Sequence, residues 1–166
     1  MENKESQKIS AAPMKKILFI CPRNPFSERF SGDIIRTKKF IYFLSKNNYV
    51  KVISPNLKDF KKKDSKFSYE GFKEVNIFIK IFYIFFSLLK IQPMQLGYFF
   101  SPKIRDYIKK NYQNYDLIFF QSFRTAQYMP KITKKNCVLD MGDLMSKNYR
   151  QTSAQYFFFN PIKIVY

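Results

Sequence analysis

Three polar clusters carry the side chains suited to chemistry: Ser31, Gly32 and Asp33 with Arg36; Gln121 and Ser122 with Arg124; and Asp140 with Asp143. Arginine offers paired N–H groups that grip a phosphate or carboxylate through two parallel bonds, so Arg36 and Arg124 are candidate anion clamps. Gly32 has no side chain and lets a ligand come close to the backbone. Asp140 and Asp143, three positions apart, supply carboxylates but do not by themselves define an acid–base pair. Each residue also has an ordinary alternative. Asp33 can cap a helix, Asp140 can hold a backbone amide or an arginine, and Arg124 can be a plain surface side chain.

The elements that position these clusters follow from the apolar pattern. Residues 15–21 read as a first strand, continuous and apolar, hence central in a parallel sheet. Pro22 stops it, and a polar loop leads to a helix from Ser31 to about Lys46, with Ile34, Phe40, Ile41 and Leu44 on its apolar side. YVKVIS, residues 49–54, alternates as a second strand. The polar stretch 56–71, with Lys61, Lys62 and Lys63, is expected to be a loop or lid: a solvated connection, or a basic patch near a phosphate or membrane surface. Residues 72–90 are helical and apolar on nearly all sides, Lys80 excepted, which fits a buried helix or one lying on a membrane. Pro93 and Pro102 bracket a stretch that cannot be one long helix, and residues 103–112 resume as a short basic one. Residues 116–121 form a third strand, 122–128 a helix ending by Pro130, and 137–141 a fourth strand. This alternation predicts an α/β domain, a parallel sheet with helices on both faces. All three clusters then project from the same edge of the sheet, where such folds bind ligands.

Composition narrows the chemistry. The 166 residues, 46% hydrophobic and 19% aromatic, suffice for one domain with a real core. With 4 Gly, neither a G-x-x-x-x-G-K-[ST] phosphate loop nor a G-x-G-x-x-G fingerprint is present, which counts against an ordinary nucleotide-hydrolysing or NAD-binding domain. The absence of His, with 2 Cys, excludes the common Cys/His zinc patterns and any Ser–His or Cys–His nucleophilic pair. Cys21 and Cys137 end apolar runs and read as small buried hydrophobes, with reduced thiols in a cytoplasmic compartment. A net charge of +18 implies attraction to nucleic acid, an anionic membrane surface or a phosphorylated ligand, unless it is a lysine-rich surface set by compositional bias alone. Residues 1–14 read as a flexible polar tail.

Four stretches in order resemble the N-terminal domain of bacterial glycosyltransferases of family 4, the GT-B type. They are KILFICPRNPFSERFSGDIIR (16–36), IQPMQLGYFFSPKIRDYI (91–108), DLIFFQSFRTAQY (116–128) and LDMGDLMSKNY (139–149). They are similar to a P-P-x-S-G-x-x-I-R type opening, a Q-P-x-Q-x-x-Y segment, an R-x-x-x-Y helix and an L-D-x-x-D-x-x-S strand end. The resemblance implies a Rossmann-like domain that is the first half of a GT-B fold. This half binds a glycan or lipid-linked acceptor, and a second domain binds the nucleotide-sugar donor. It also implies retaining transfer of the sugar with no metal and no cofactor. Ser31, Gly32 and Asp33 then match the small-residue loop near the donor diphosphate and the acceptor, and Arg36, Arg124, Asp140 and Asp143 line the acceptor side. Gln121 and Ser122 stand where many members carry a histidine, so no general base is assigned.

The donor domain's glutamate pair, separated by seven residues, is not formed by Glu2, Glu5, Glu28, Glu70 and Glu74. Complete enzymes of this type are about twice as long, consistent with two domains. The expectation is therefore an N-terminal half: residues 15–150 as the acceptor-side domain, and the aromatic residues 151–166 leading toward a second domain or packing back as a final helix. Such a half would not turn over alone and would act at the inner membrane face. Two other readings compete. One is a non-enzymatic basic α/β module for an anionic membrane or nucleic acid, although no RNA-binding motif is present. The other is a flavodoxin-like domain, which the long loop 22–30 with its two prolines fits poorly.

Overall fold

The run ILFIC has no polar residue to turn toward water, so it needs cover on both sides. It has that cover: β1 (Lys16–Ile20) is the middle strand of a parallel sheet, and Ile17 to Cys21 are at most 2% exposed. The computed structural model describes residues 13–28, 31–55, 67–130 and 136–142. Its other strands are β2 (Tyr49–Pro55), β3 (Phe67–Phe72), β4 (Leu117–Gln121) and β5 (Asn136–Asp140). They lie in the order β3-β2-β1-β4-β5, and every pairing is parallel. That is the Rossmann order over its first five strands; the flavodoxin-like order 2-1-3-4-5 is not the one formed.

Successive strand residues point to opposite faces, and each face has its own helix. On one face α1 (Gly32–Ser45) sets Ile41 against Phe19, Val50, Val52 and Phe119, with the Phe19 and Phe119 rings stacked at 4.6 Å. On the other, α4 (Pro102–Asn111) sets Ile104 and Ile108 against Leu18, Ile20, Ile118 and Phe120. The fold is thus an α/β, Rossmann-like parallel sheet with helices on both faces. At the opposite edge from the polar clusters, Lys16 N–H donates to Asp116 Oδ2 and Asp116 N–H to the Lys16 carbonyl, both at 2.8 Å, which pins the starts of β1 and β4 together.

Several boundaries differ from the sequence reading. The stretch expected to be loop through residue 71 ends in β3, an edge strand whose Phe67 is buried against Phe26, Tyr42 and Tyr69. The apolar helix consequently starts later, as α2 (Ile77–Leu89), capped by Asn76, whose side chain accepts from Phe78 N–H. Between the two prolines lies one short helix, α3 (Met94–Tyr98), and the helix after β4 is a single turn, α5 (Phe123–Ala126). The tail before residue 13, Lys61–Lys63, the loop 147–151 and the aromatic residues 151–166 lie outside the described residues.

Helix α2 closes with the N–H of Gln92 on the Ser87 carbonyl and that of Ile91 on the Leu88 carbonyl, both at 2.9 Å. This closure requires a left-handed residue after the cap, a place that usually holds glycine. Here it holds Ile91, at φ 54° and 97% exposed. A β-branched side chain in that region is strained, by about 1–2 kcal/mol, and it packs against nothing that would offset the strain. Ile91→Gly is therefore expected to raise stability by about 1 kcal/mol, or roughly 2–4 °C in thermal midpoint; an unchanged or lower midpoint in thermal denaturation would contradict the strain.

The start of α4 is held by Tyr128, whose hydroxyl accepts from Ser101 N–H and donates to the Phe99 carbonyl, both at 2.8 Å. Burial raises the Tyr128 phenol above its usual value near 10, and burial together with a hydrogen bond to Tyr115 does the same for Tyr107. Burial also raises the Cys21 and Cys137 thiols. The sign is then set: the unfolded chain releases these protons first, so it binds fewer protons and stability falls as pH rises. Melting curves should be insensitive to these groups below the ordinary thiol and phenol range of about 8.5–10 and drop progressively above it. Tyr128→Phe should flatten part of that slope and lower stability at neutral pH by about 1–3 kcal/mol, because two backbone groups lose their partner.

Candidate functional site

Strand β1 leads the chain toward β2 on one side, and β4 leads it toward β5 on the other, so the loops after β1 and β4 diverge and open a crevice. A cleft of ≈ 500 Å³ lies there. Pro22 and Arg23 after β1, and Gly32, Asp33 and Arg36 from the start of α1, form one wall. Gln121, Ser122, Phe123 and Arg124 after β4, with Asp140, Met141 and Gly142 after β5, form the rest. The structure therefore gathers Gly32, Asp33, Arg36, Gln121, Arg124 and Asp140 around one opening. Ser31 stands beside it and donates its hydroxyl to Asp33 Oδ1. Asp143 lies outside the described residues.

Each cleft arginine is held in place. Arg36 Nη2 donates to Asp140 Oδ1 at 2.6 Å, and the same oxygen accepts Gly142 N–H at 3.1 Å. Gly142 has φ 61°, so its turn brings that N–H back to the carboxylate in a conformation suited to glycine. Asp140 thus holds both an arginine and a backbone amide. Arg23 lies 3.5 Å from Asp33 Oδ2, and its guanidinium sits 5.6 Å from the Phe99 ring centre. Arg124 is not a plain surface residue: its Nε donates to Gln95 Oε1 at 2.9 Å, and its guanidinium stacks 4.6 Å from the Phe99 centre. The guanidiniums of Arg23 and Arg124 thus share one aromatic ring, a contact that favours cations.

The turn into α5 is strained where it enters the cleft. Ser122 has φ 72° and ψ 149°, a region that costs a non-glycine residue about 1–3 kcal/mol. Its N–H donates to the Asp140 carbonyl at 2.7 Å, and its own carbonyl accepts the Thr125 hydroxyl at 2.9 Å. These bonds turn the chain so that Phe123 and Arg124 face the opening. Around Gly32, nothing lies within 4 Å of where a Cβ would sit, so the fold does not require glycine there and the room adjoins the cleft.

The chemistry on offer is anion binding. Three guanidiniums, Arg23, Arg36 and Arg124, surround one opening, and Asp33 and Asp140 orient the first two. Both carboxylates are engaged by arginines, so they form no free acid–base dyad. Among the described residues, no group of three or more His, Cys, Asp or Glu side chains gathers to hold a metal ion. Sequence reasoning missed Arg23, Gln95 and Phe99. Arg23 was open to discovery, since any residue two places past the end of the central strand reaches this edge. Gln95 and Phe99 come from the crossover between β3 and β4, which no periodic pattern ties to the cleft. The chain matches no protein-family model and no curated protein.

Proposed function

We propose that the chain is the N-terminal, acceptor-side domain of a retaining GT-B glycosyltransferase. In this reading the cleft binds a phosphate- or carboxylate-bearing glycan or lipid-linked acceptor, and the nucleotide-sugar donor is held chiefly by a second domain. What carries the reading is the meeting of clusters from four points of the sequence, at the ends of β1, β4 and β5 and at the start of α1, in one arginine-rimmed cleft at the switch point of the sheet. The motif order described above supplies the reaction class. Guanidiniums that share the Phe99 face would position an acceptor phosphate, and Gly32 would leave room for the sugar to approach the backbone. The reading assigns the chain to the cytoplasmic side of the membrane and needs no metal or cofactor.

Calorimetric titration of the full chain with a short-chain prenyl phosphate and with a set of nucleotide sugars tests this. Saturable binding of the prenyl phosphate, with little heat from the nucleotide sugars and no sugar transfer, is the expected result. Turnover of a nucleotide sugar by the purified chain alone would sink the half-enzyme reading, and absence of phosphate binding would sink the acceptor assignment.

A further inference from the structure

Helix α2 is built inside out. Lys80, Tyr83, Ile84 and Ser87 share one face by their spacing, and all four are half-buried or buried against the protein. Lys80 is only 13% exposed, paired with Glu74 at 3.1 Å and lying over the Tyr98 ring. The remaining nine helix residues, including Phe78, Phe82, Phe85 and Leu89, are 45–76% exposed, and all are Ile, Leu or Phe. At 100° per residue they cover an unbroken arc of roughly 200° with no polar group in it. With about 200 Å² per phenylalanine, the four phenylalanines alone expose on the order of 500 Å². That already reaches the largest patch of a typical monomer, roughly 300–600 Å².

We propose that this face lies in the surface of an anionic lipid bilayer. Two observations choose lipid over a protein partner. First, protein interfaces carry polar side chains among their apolar ones, and this arc carries none. Second, exposed lysines flank the helix at both ends, Lys73 and Lys90, and the carboxylates bordering this stretch, Glu74 and Asp106, pair with Lys80 and Arg105, within a chain of net charge +18. That is the charge complement of anionic headgroups. The strained residue at the end of the helix agrees. Ile91, the residue after the cap, is an apolar side chain 97% exposed in a backbone position where glycine would be more stable, so folding does not account for it. Among the described residues no helix is long and apolar enough to cross a membrane, so α2 lies along the surface with its phenylalanines among the acyl chains. The inference stands apart from the sugar-transfer reading, since it concerns a different face and a different ligand.

The chain has no Trp, so Phe82→Trp introduces a single tryptophan on the arc, excited selectively at its red edge apart from the 12 Tyr. With phosphatidylcholine vesicles containing phosphatidylglycerol, its emission should shift to the blue and become shielded from iodide. Vesicles of phosphatidylcholine alone should bind more weakly. Phe78→Ser with Phe82→Ser and Phe85→Ser changes only exposed side chains, so its circular dichroism should match the parent while co-sedimentation with the anionic vesicles weakens by about tenfold or more. Ile91→Gly should weaken it as well, despite the gain in stability. The proposal is overturned by an unshifted Trp emission, or by a triple variant that sediments like the parent. It is equally overturned by emission already blue and shielded in a lipid-free monomer, meaning the chain covers its own face. A lipid-free dimer that the triple variant dissociates, with no vesicle binding, would assign the face to a second copy instead.

Discussion

Gly97→Ala is expected to lower the thermal midpoint by roughly 6–12 °C, the effect of about 3 kcal/mol in a chain of this size. Gly97 lies too close to α2 for any side chain. A Cβ at position 97 would meet the Tyr83 carbonyl oxygen, would lie 2.6 Å from the carbonyl carbon and would lie 2.7 Å from Ile84 Cα. All three atoms belong to the backbone of α2, so no side chain can rotate away. The two helices must separate, and the Tyr83 carbonyl that the Cβ would meet also accepts the Ser87 hydroxyl at 2.9 Å. The sheet does not take part in this contact. Amide hydrogen exchange should therefore show lost protection in α2 and α3 while β1 and β4 keep theirs. An alanine variant with an unchanged midpoint would refute the close contact.

Arg124→Ala is expected to weaken binding of a prenyl phosphate by about 10- to 100-fold, the range for losing one or two charge-assisted hydrogen bonds. The planar group of Arg124 is fixed by a ring on one side and an amide oxygen on its Nε. Lysine keeps the charge but has neither the flat face nor the Nε, so Arg124→Lys should recover only part of the affinity. Stability should fall by only about 1 kcal/mol for the lost stacking and Gln95 contact. A large loss of affinity with a small loss of stability is thus the signature of a binding residue. Equal affinity in the alanine variant, measured by calorimetry, would remove Arg124 from the site.

Parts of the fold were legible because one interaction dominated them. An uninterrupted ILFIC leaves a central strand as its only satisfied placement, and the spacing of Ile34 and Ile41 leaves α1 only one face to bury. Strand β3 was not legible: FSYEGF is short and half polar, follows a lysine-rich stretch, and owes its place to the edge of β2 and the rings around Phe67. The convergence of Arg36, Arg124 and Asp140 followed from parallel strands alone, since their ends must share an edge. Which partners those residues take did not follow, because Gln95 and Phe99 reach the cleft through tertiary packing. The direction of α2 was hidden for a similar reason. A lone lysine on an apolar helix suggests a face turned to water, whereas Glu74 and Tyr98 draw Lys80 inward.

Helix α3 touches both unusual parts of the molecule. Gly97 sits against α2 without slack, while Gln95 holds Arg124 and the Leu96 carbonyl accepts from Gln127 at 3.1 Å. Five residues therefore join the outward apolar helix to the arginine-rimmed cleft. Thermodynamic linkage makes any such connection symmetric: an occupant of α2 that displaces α3 changes affinity at Arg124 by some factor, and a ligand at Arg124 changes affinity at α2 by the same factor. The short helix between the two prolines is the place where that exchange would be set.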